Sequence, residues 1–149
     1  MISRSVSQTK LLIDTNVILD VVLARRPWAE DAALLFDVVA RERARGYVAS
    51  HAVTTVHYIV ERERDRSTAA TAVSDLLAVL DVVPLESADF QRALALRLRD
   101  YEDAVQVAAA LRIGADYLVT RNEKDFKGAP VTSRSAGEIL ALLAPRSTE

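Results

Sequence analysis

The feature that most constrains this chain is a recurring order: a short apolar run, a polar break, then a helical pattern. KLLID (10–14), YVAS (47–50), VVPL (82–85), DYLVT (116–120) and PVTS (130–133) read as short strands. The stretches between the first four read as helices, and TRNEKDFKG (120–128) reads as a polar loop before the fifth. One spans 16–23. A longer one opens at Pro27, a favourable first helical position, and carries Ala32, Leu35, Phe36 and Val39 at three- and four-residue spacing. Gly46 is expected at its C-terminal end. A third helix covers 52–64, and Ser67 and Ser87 are expected to cap two more, to Leu80 and over 88–99. Asp100 caps a helix at 101–113, closed by Gly114, and Ser135 starts a last one to about 143. Helices between successive strands argue for a parallel sheet covered on both faces, a three-layer α/β sandwich with a short sheet. Pro84 suits an edge strand.

The chain has 149 residues, which fits one domain. Residues 1–9 are short, polar and expected to be a flexible lead-in, leaving 10–149 as the domain. Half the residues are hydrophobic, enough for a core. There is no cysteine, so disulfides and thiolate metal sites are excluded. No signal-peptide pattern or membrane-length apolar run is present, which leads us to expect a cytoplasmic protein without membrane contact. The Ala and Arg bias, with Lys only at 10, 124 and 127, points to a GC-rich bacterial source. The net charge of −2 allows a basic stripe at most. Arg25-Arg26, Arg41/Arg43/Arg45 and Arg62/Arg64/Arg66 read first as solvated helix ends, with a phosphate track as the alternative.

Ligands of open parallel sheets bind beyond the carboxyl ends of the strands. There the sequence delivers Asp14 after the first strand and Thr120, Arg121, Asn122 and Asp125 after the fourth. Asp103 stands in the first turn of a helix expected to start at the same edge. Converging carboxylates raise one another's pKa, and a divalent cation removes that cost. Mg²⁺ prefers oxygen ligands, and such a site can activate water and steady a phosphate. Each acid also has a structural reading: Asp14 as a helix cap, Asp103 in a capping-box-like arrangement, Asp125 in an Asx turn. The four glycines form no phosphate loop, and no G-x-S-x-G elbow occurs. His51 and His57 lie six apart, off a shared helix face, and His57 is expected to pack among Val53, Tyr58 and Val60.

LLIDTNVILD (11–20) and DYEDAVQVAAALRIGADYLVTRNEKDF (100–126) resemble the two ends of the PIN-domain nucleases. The resemblance implies a PIN-like fold, a Mg²⁺- or Mn²⁺-dependent acidic site and an RNA substrate. It also implies kinship with VapC-type toxins, which are held by an antitoxin protein and are often homodimers. By resemblance Asp14, Asp103 and Asp125 are the catalytic metal ligands, with Asn16, Thr120 and Asn122 in support. Thr55 stands where the family usually has an acid on the helix after the second strand. Glu61, about 120° further round that helix, is badly placed to replace it, and Glu102 is the better local candidate.

The first functional expectation is a metal-dependent ribonuclease of PIN type, the toxin of a toxin-antitoxin pair, in which a metal-bound water attacks an RNA phosphodiester. The second is a PIN-like module, weakened by Thr55, that binds RNA or a protein partner. A haloacid-dehalogenase type of phosphohydrolase ranks last, because Asn16 occupies the place of the second Asp it would need.

Overall fold

In a computed structural model, which describes residues 8–145, five strands form one fully parallel sheet. They are β1 (Lys10–Ile13), β2 (Arg45–Ala49), β3 (Asp81–Val83), β4 (Tyr117–Val119) and β5 (Ser133–Arg134), in the order β3-β2-β1-β4-β5. Helices α1 (Thr15–Val22) and α2 (Ala29–Ala40) join β1 to β2, and α3 (Ser50–Glu63) and α4 (Arg66–Val79) join β2 to β3. Helices α5 (Ser87–Leu96) and α6 (Tyr101–Ile113) lead to β4. A 3-10 turn at Glu123–Phe126 precedes β5, and α7 (Ala136–Leu143) follows it. Most of the expected lead-in, residues 1–7, lies outside the described residues.

Strand alternation divides the core. Leu11, Ile13, Val48 and Val119 join the apolar cluster that holds Ile18, Leu35, Val56, Leu76 and Ile139. Leu12, Tyr47, Ala49 and Leu118 face the other way, toward Val107, Ala109 and Phe126. Successive strand residues point to opposite faces, so a strand buried on both must be apolar throughout. This explains why KLLI and YLV read as unbroken apolar runs. On the second face α5 and α6 are clipped together by polar contacts. Arg112 bridges Glu86 (3.1 Å) and Asp89 (3.0 Å), and the Tyr101 hydroxyl donates to the Phe90 carbonyl (3.0 Å).

Several boundaries differ from the sequence expectation, each for a local reason. Pro27 lies in a cis Arg26–Pro27 bond before α2, whose N-cap is Trp28. Gly46 is not a helix terminator: α2 ends at the Arg41 cap with Glu42 at φ 61, and Gly46 lies inside β2. Asp65, not Ser67, caps α4, accepting from the Thr68 amide at 2.7 Å. Glu86, not Ser87, caps α5 in a capping box with Asp89. Asp100, Gly114 and Ser135 act as expected, and the proline-bearing β3 segment is an edge strand. Among the described residues no helix is long and apolar enough to cross a membrane.

Gly46 is required for space. A Cβ there would stand 2.6 Å from Leu80 Cδ2 and 3.0 Å from Val39 Cγ1. Gly46→Ala is therefore expected to destabilise the protein by roughly 1–3 kcal/mol through overpacking. Urea denaturation checks this, and an unchanged midpoint would show that Leu80 and Val39 can make room.

Candidate metal centre

The order of the strands reverses between β1 and β4: β1 leads into α1 on one face of the sheet, and the 3-10 turn after β4 sets Phe126 on the other. A crevice opens at such a switch point. Asp14 follows β1 directly and Thr120 follows β4. The Thr120 hydroxyl, fully buried, donates to Asp14 Oδ2 at 3.0 Å, and the Asp14 amide donates to the Val119 carbonyl at 2.9 Å. The two strands are thus tied across the crevice by backbone and side chain.

Asp14 is 4% exposed. Burial pushes its pKa up to about 6, and the Glu102 carboxylate adds to the rise. The Thr120 hydroxyl and the amides of Thr15 and Asn16 offset part of it. Asp14 is the N-cap residue of α1, but its carboxylate does not close a well-formed cap hydrogen bond. Asn16 is half-buried one residue into the helix, and the Asn122 amide donates to the Thr120 hydroxyl at 3.1 Å.

Asp103 enters from α6. The Asp100 side chain caps that helix by accepting from the Asp103 amide at 3.0 Å. The reciprocal bond, made by the third residue in both α5 and α7, is not made by Asp103. Its carboxylate instead lines an open cleft with Asp100 and Asp125, together with Arg97, Arg99, Lys124 and Lys127. Burial, then the charges of Asp100, Asp14, Glu102 and Asp125, push its pKa up to about 7. Asp14, Asp103 and Asp125 therefore act on one electrostatic neighbourhood. The tightest grouping of potential ligand oxygens among the described residues is a different trio, Asp100, Glu102 and Asp103, mutually within 4.8 Å.

Thr55 does not reach these acids through any hydrogen bond in the structure. Its hydroxyl donates to the His51 carbonyl of its own helix at 3.3 Å. The α3 side chain that meets the acidic group is His51, whose Nε2 lies 2.8 Å from Glu102 Oε2. Gln106, fully buried, donates from Nε2 to the same Glu102 oxygen and to the Thr15 hydroxyl, both at 3.0 Å. His57 is not packed away as expected: it is part exposed, with Nδ1 3.6 Å from Glu61 Oε1. Glu61 thus faces its own helix neighbour.

On the far side of Thr120, the buried Asp20 of α1 pairs with Arg121 at 3.0 Å, and the Arg121 guanidinium stacks 3.9 Å above the Trp28 ring. This contact fixes the start of the loop that carries Asn122 and Asp125. Sequence reading missed His51, Gln106 and the cations that line the cleft. Of the arginines clustered in sequence, Arg25 pairs with Asp20 and Glu63, Arg41 with Asp37 and Arg45 with Asp81.

The sequence matches the family model for the PIN domain over residues 10–124. The chain belongs to the PIN domain family. A relative, Ribonuclease VapC1 of Aquifex aeolicus (strain VF5), is 25% identical over 122 residues, covering 78% of this chain and 83% of its own length. Among solved structures, DNA-bound VapBC from Salmonella typhimurium is similar with a TM-score of 0.69 at 17% identity, over 87% of this chain and 99% of that one. A toxin-antitoxin complex from Klebsiella pneumoniae is similar with a TM-score of 0.65 at 22% identity, over 85% and 97%. VapC20 of Mycobacterium tuberculosis, described as a Sarcin-Ricin loop cleaving toxin, is similar with a TM-score of 0.61 at 16% identity, over 72% and 86%. These likenesses place the sheet order and its helical layers within the PIN fold.

The residues at this PIN-domain edge suit a hard divalent cation. The donors are oxygens, and the raised pKa values of Asp14 and Asp103, due first to burial and then to neighbouring carboxylates, register a cost that such a cation would relieve. Without metal, that cost has a measurable sign. Between about pH 4 and 6 the folded protein keeps the Asp14 proton that the unfolded chain has lost, so stability falls as pH rises through that window. Asp14→Asn should remove the penalty. In EDTA its advantage over wild type should grow from pH 4 to 6 and level off at roughly 3 kcal/mol above that. Chemical denaturation across pH checks this, and parallel curves for the two proteins would show that the buried charge carries no cost.

Proposed function

We propose that this PIN domain is a metal-dependent ribonuclease, the toxin of a toxin-antitoxin pair, in which Asp14, Asp103 and Asp125 hold Mg²⁺ or Mn²⁺. The observation that carries the reading is the cleft at the carboxyl edge. Acids that repel one another stand beside Arg97, Arg99, Lys124 and Lys127, so one surface offers both a cation site and a lining for a polyanion. The bound cation would supply Lewis-acid stabilisation of phosphate charge and a more acidic water. The chain's own residues supply the rest. The Thr120 hydroxyl holds one oxygen of Asp14, Oδ2. The Asp100 cap holds the first turn of α6 and so fixes where Asp103 starts. The Asp20–Arg121 pair fixes the loop that delivers Asp125.

The name of the Aquifex relative supports RNA as substrate, and the toxin-antitoxin complexes among the structural neighbours support an antitoxin partner. We further propose a homodimer working in the bacterial cytoplasm. A second reading, a PIN module that binds RNA or a protein without cleaving, is favoured by Thr55, whose hydroxyl is committed to its own helix.

Wild type should cleave RNA with Mg²⁺ or Mn²⁺ and lose that activity in EDTA. Asp14→Asn should reduce cleavage by at least about 100-fold while its melting curve shows an intact fold, because an amide keeps the packing but not the charge. Cleavage of purified RNAs by both proteins, with melting curves alongside, is the check. Equal cleavage would remove Asp14 from the site, and a wild type inert toward all RNAs would leave the binding module ahead.

A further inference from the structure

The acid that α3 lacks leaves one side of the crevice without a carboxylate of its own. Glu102 is the group the structure brings there. It sits in the first turn of α6, where an ordinary dipole-favouring carboxylate would extend into water. It is instead tethered twice, by His51 Nε2 at 2.8 Å from α3 and by Gln106 Nε2 at 3.0 Å from the next turn of α6. Both donors take the same oxygen, Oε2, which leaves Oε1 uninvolved with either.

The tether continues inward. Gln106 is fully buried, and its Nε2 also reaches the hydroxyl of Thr15, the residue after Asp14. A line of contacts from His51 through Glu102 and Gln106 to Thr15 therefore crosses the crevice and joins α3, α6 and α1. Two buried atoms along it, His51 Nδ1 and Gln106 Oε1, have no partner. Unpaired buried polar atoms are costly, and packing alone would be better served by apolar side chains at both positions. The Glu102 oxygen also falls within 4.8 Å of ligand oxygens of Asp100 and Asp103.

We propose that Glu102 completes the acidic site on the α3 side, in place of a carboxylate from α3, and that His51 and Gln106 are positioning residues that hold it there. Partners of this kind around a metal site orient the ligand, and removing one typically weakens metal binding by roughly 10–100-fold. The proposal rests on the metal-dependent reading above and adds to it a residue and the means of placing it.

Calorimetric titration of the full chain with MnCl₂ tests it, together with the Mn²⁺-induced rise in melting temperature. Glu102→Gln should weaken Mn²⁺ binding by on the order of 100-fold, and His51→Ala by about tenfold. His51→Gln should bind close to wild type, because its amide Nε2 can still donate to Glu102. Melting in EDTA should show all variants folded. Loss of Mn²⁺ in Asp103→Asn with wild-type binding by Glu102→Gln would overturn this inference and keep the site. Wild-type binding by Asp103→Asn would overturn the site itself. Equal weakening by His51→Ala and His51→Gln would overturn the positioning role.

Discussion

The rest of the structure depends on where β1 ends. This strand is central, paired in parallel on both sides and buried on both faces, and its next residue is a carboxylate with almost no access to water. A buried carboxylate disfavours its own charge unless something compensates. Thr120 and the start of α1 compensate only in part, since the group remains well above the ordinary carboxylate range. The second face of the sheet then brings Asp103 into the same neighbourhood, where the Asp14 charge helps push its pKa up. A core that tolerates this arrangement is organised around the edge of its sheet as much as around its apolar interior. The oxygen-only donors make a divalent cation the natural counter-charge.

The inner strands β1 and β4 were readable because they are buried on both faces, and that leaves unbroken apolar runs in the sequence. The cap of α6 was readable for a similar reason: Asp100 and Asp103 keep the spacing that an N-cap and its third residue need, whatever lies around them. Gly46 and Pro27 were misleading because their usual positions are statistical, while here packing decides. Gly46 is demanded by Leu80 and Val39, which lie in other elements. Asp65 and Glu86 displaced Ser67 and Ser87 as caps because several capping side chains stood close together and only the tertiary course of the chain chooses between them. The single-domain reading of 10–149 remains an inference from length and pattern.

The acids themselves stood out in the sequence, but their supports did not. His51 and Glu102 are 51 residues apart, and Thr15 and Gln106 are 91 apart. No local spacing links them. Thr55 fills a position where an acid is usual, yet the side chain that reaches across from α3 is His51, one helical turn earlier. Likewise the cations beside the acids come from the α5–α6 connection and the loop after β4, while in the conspicuous runs of arginine Arg25, Arg41 and Arg45 are engaged in ion pairs. Convergence across long sequence separations is what topology supplies and composition hides.

Asp100 caps α6, and Glu102 and Asp103 lie in its first turn. Helix ends open far more readily than the structures they belong to, through local events that leave the core untouched. Asp14, at the end of the buried central strand, is held by the stability of the domain, whereas the acids of α6 are held by one turn. The hydroxyl of Tyr101, within that turn, is fastened to the Phe90 carbonyl on α5. A contact that looks like ordinary helix packing thus bears on how often the two halves of the acidic edge stand together, and fraying of that turn would part them in a chain that is otherwise folded.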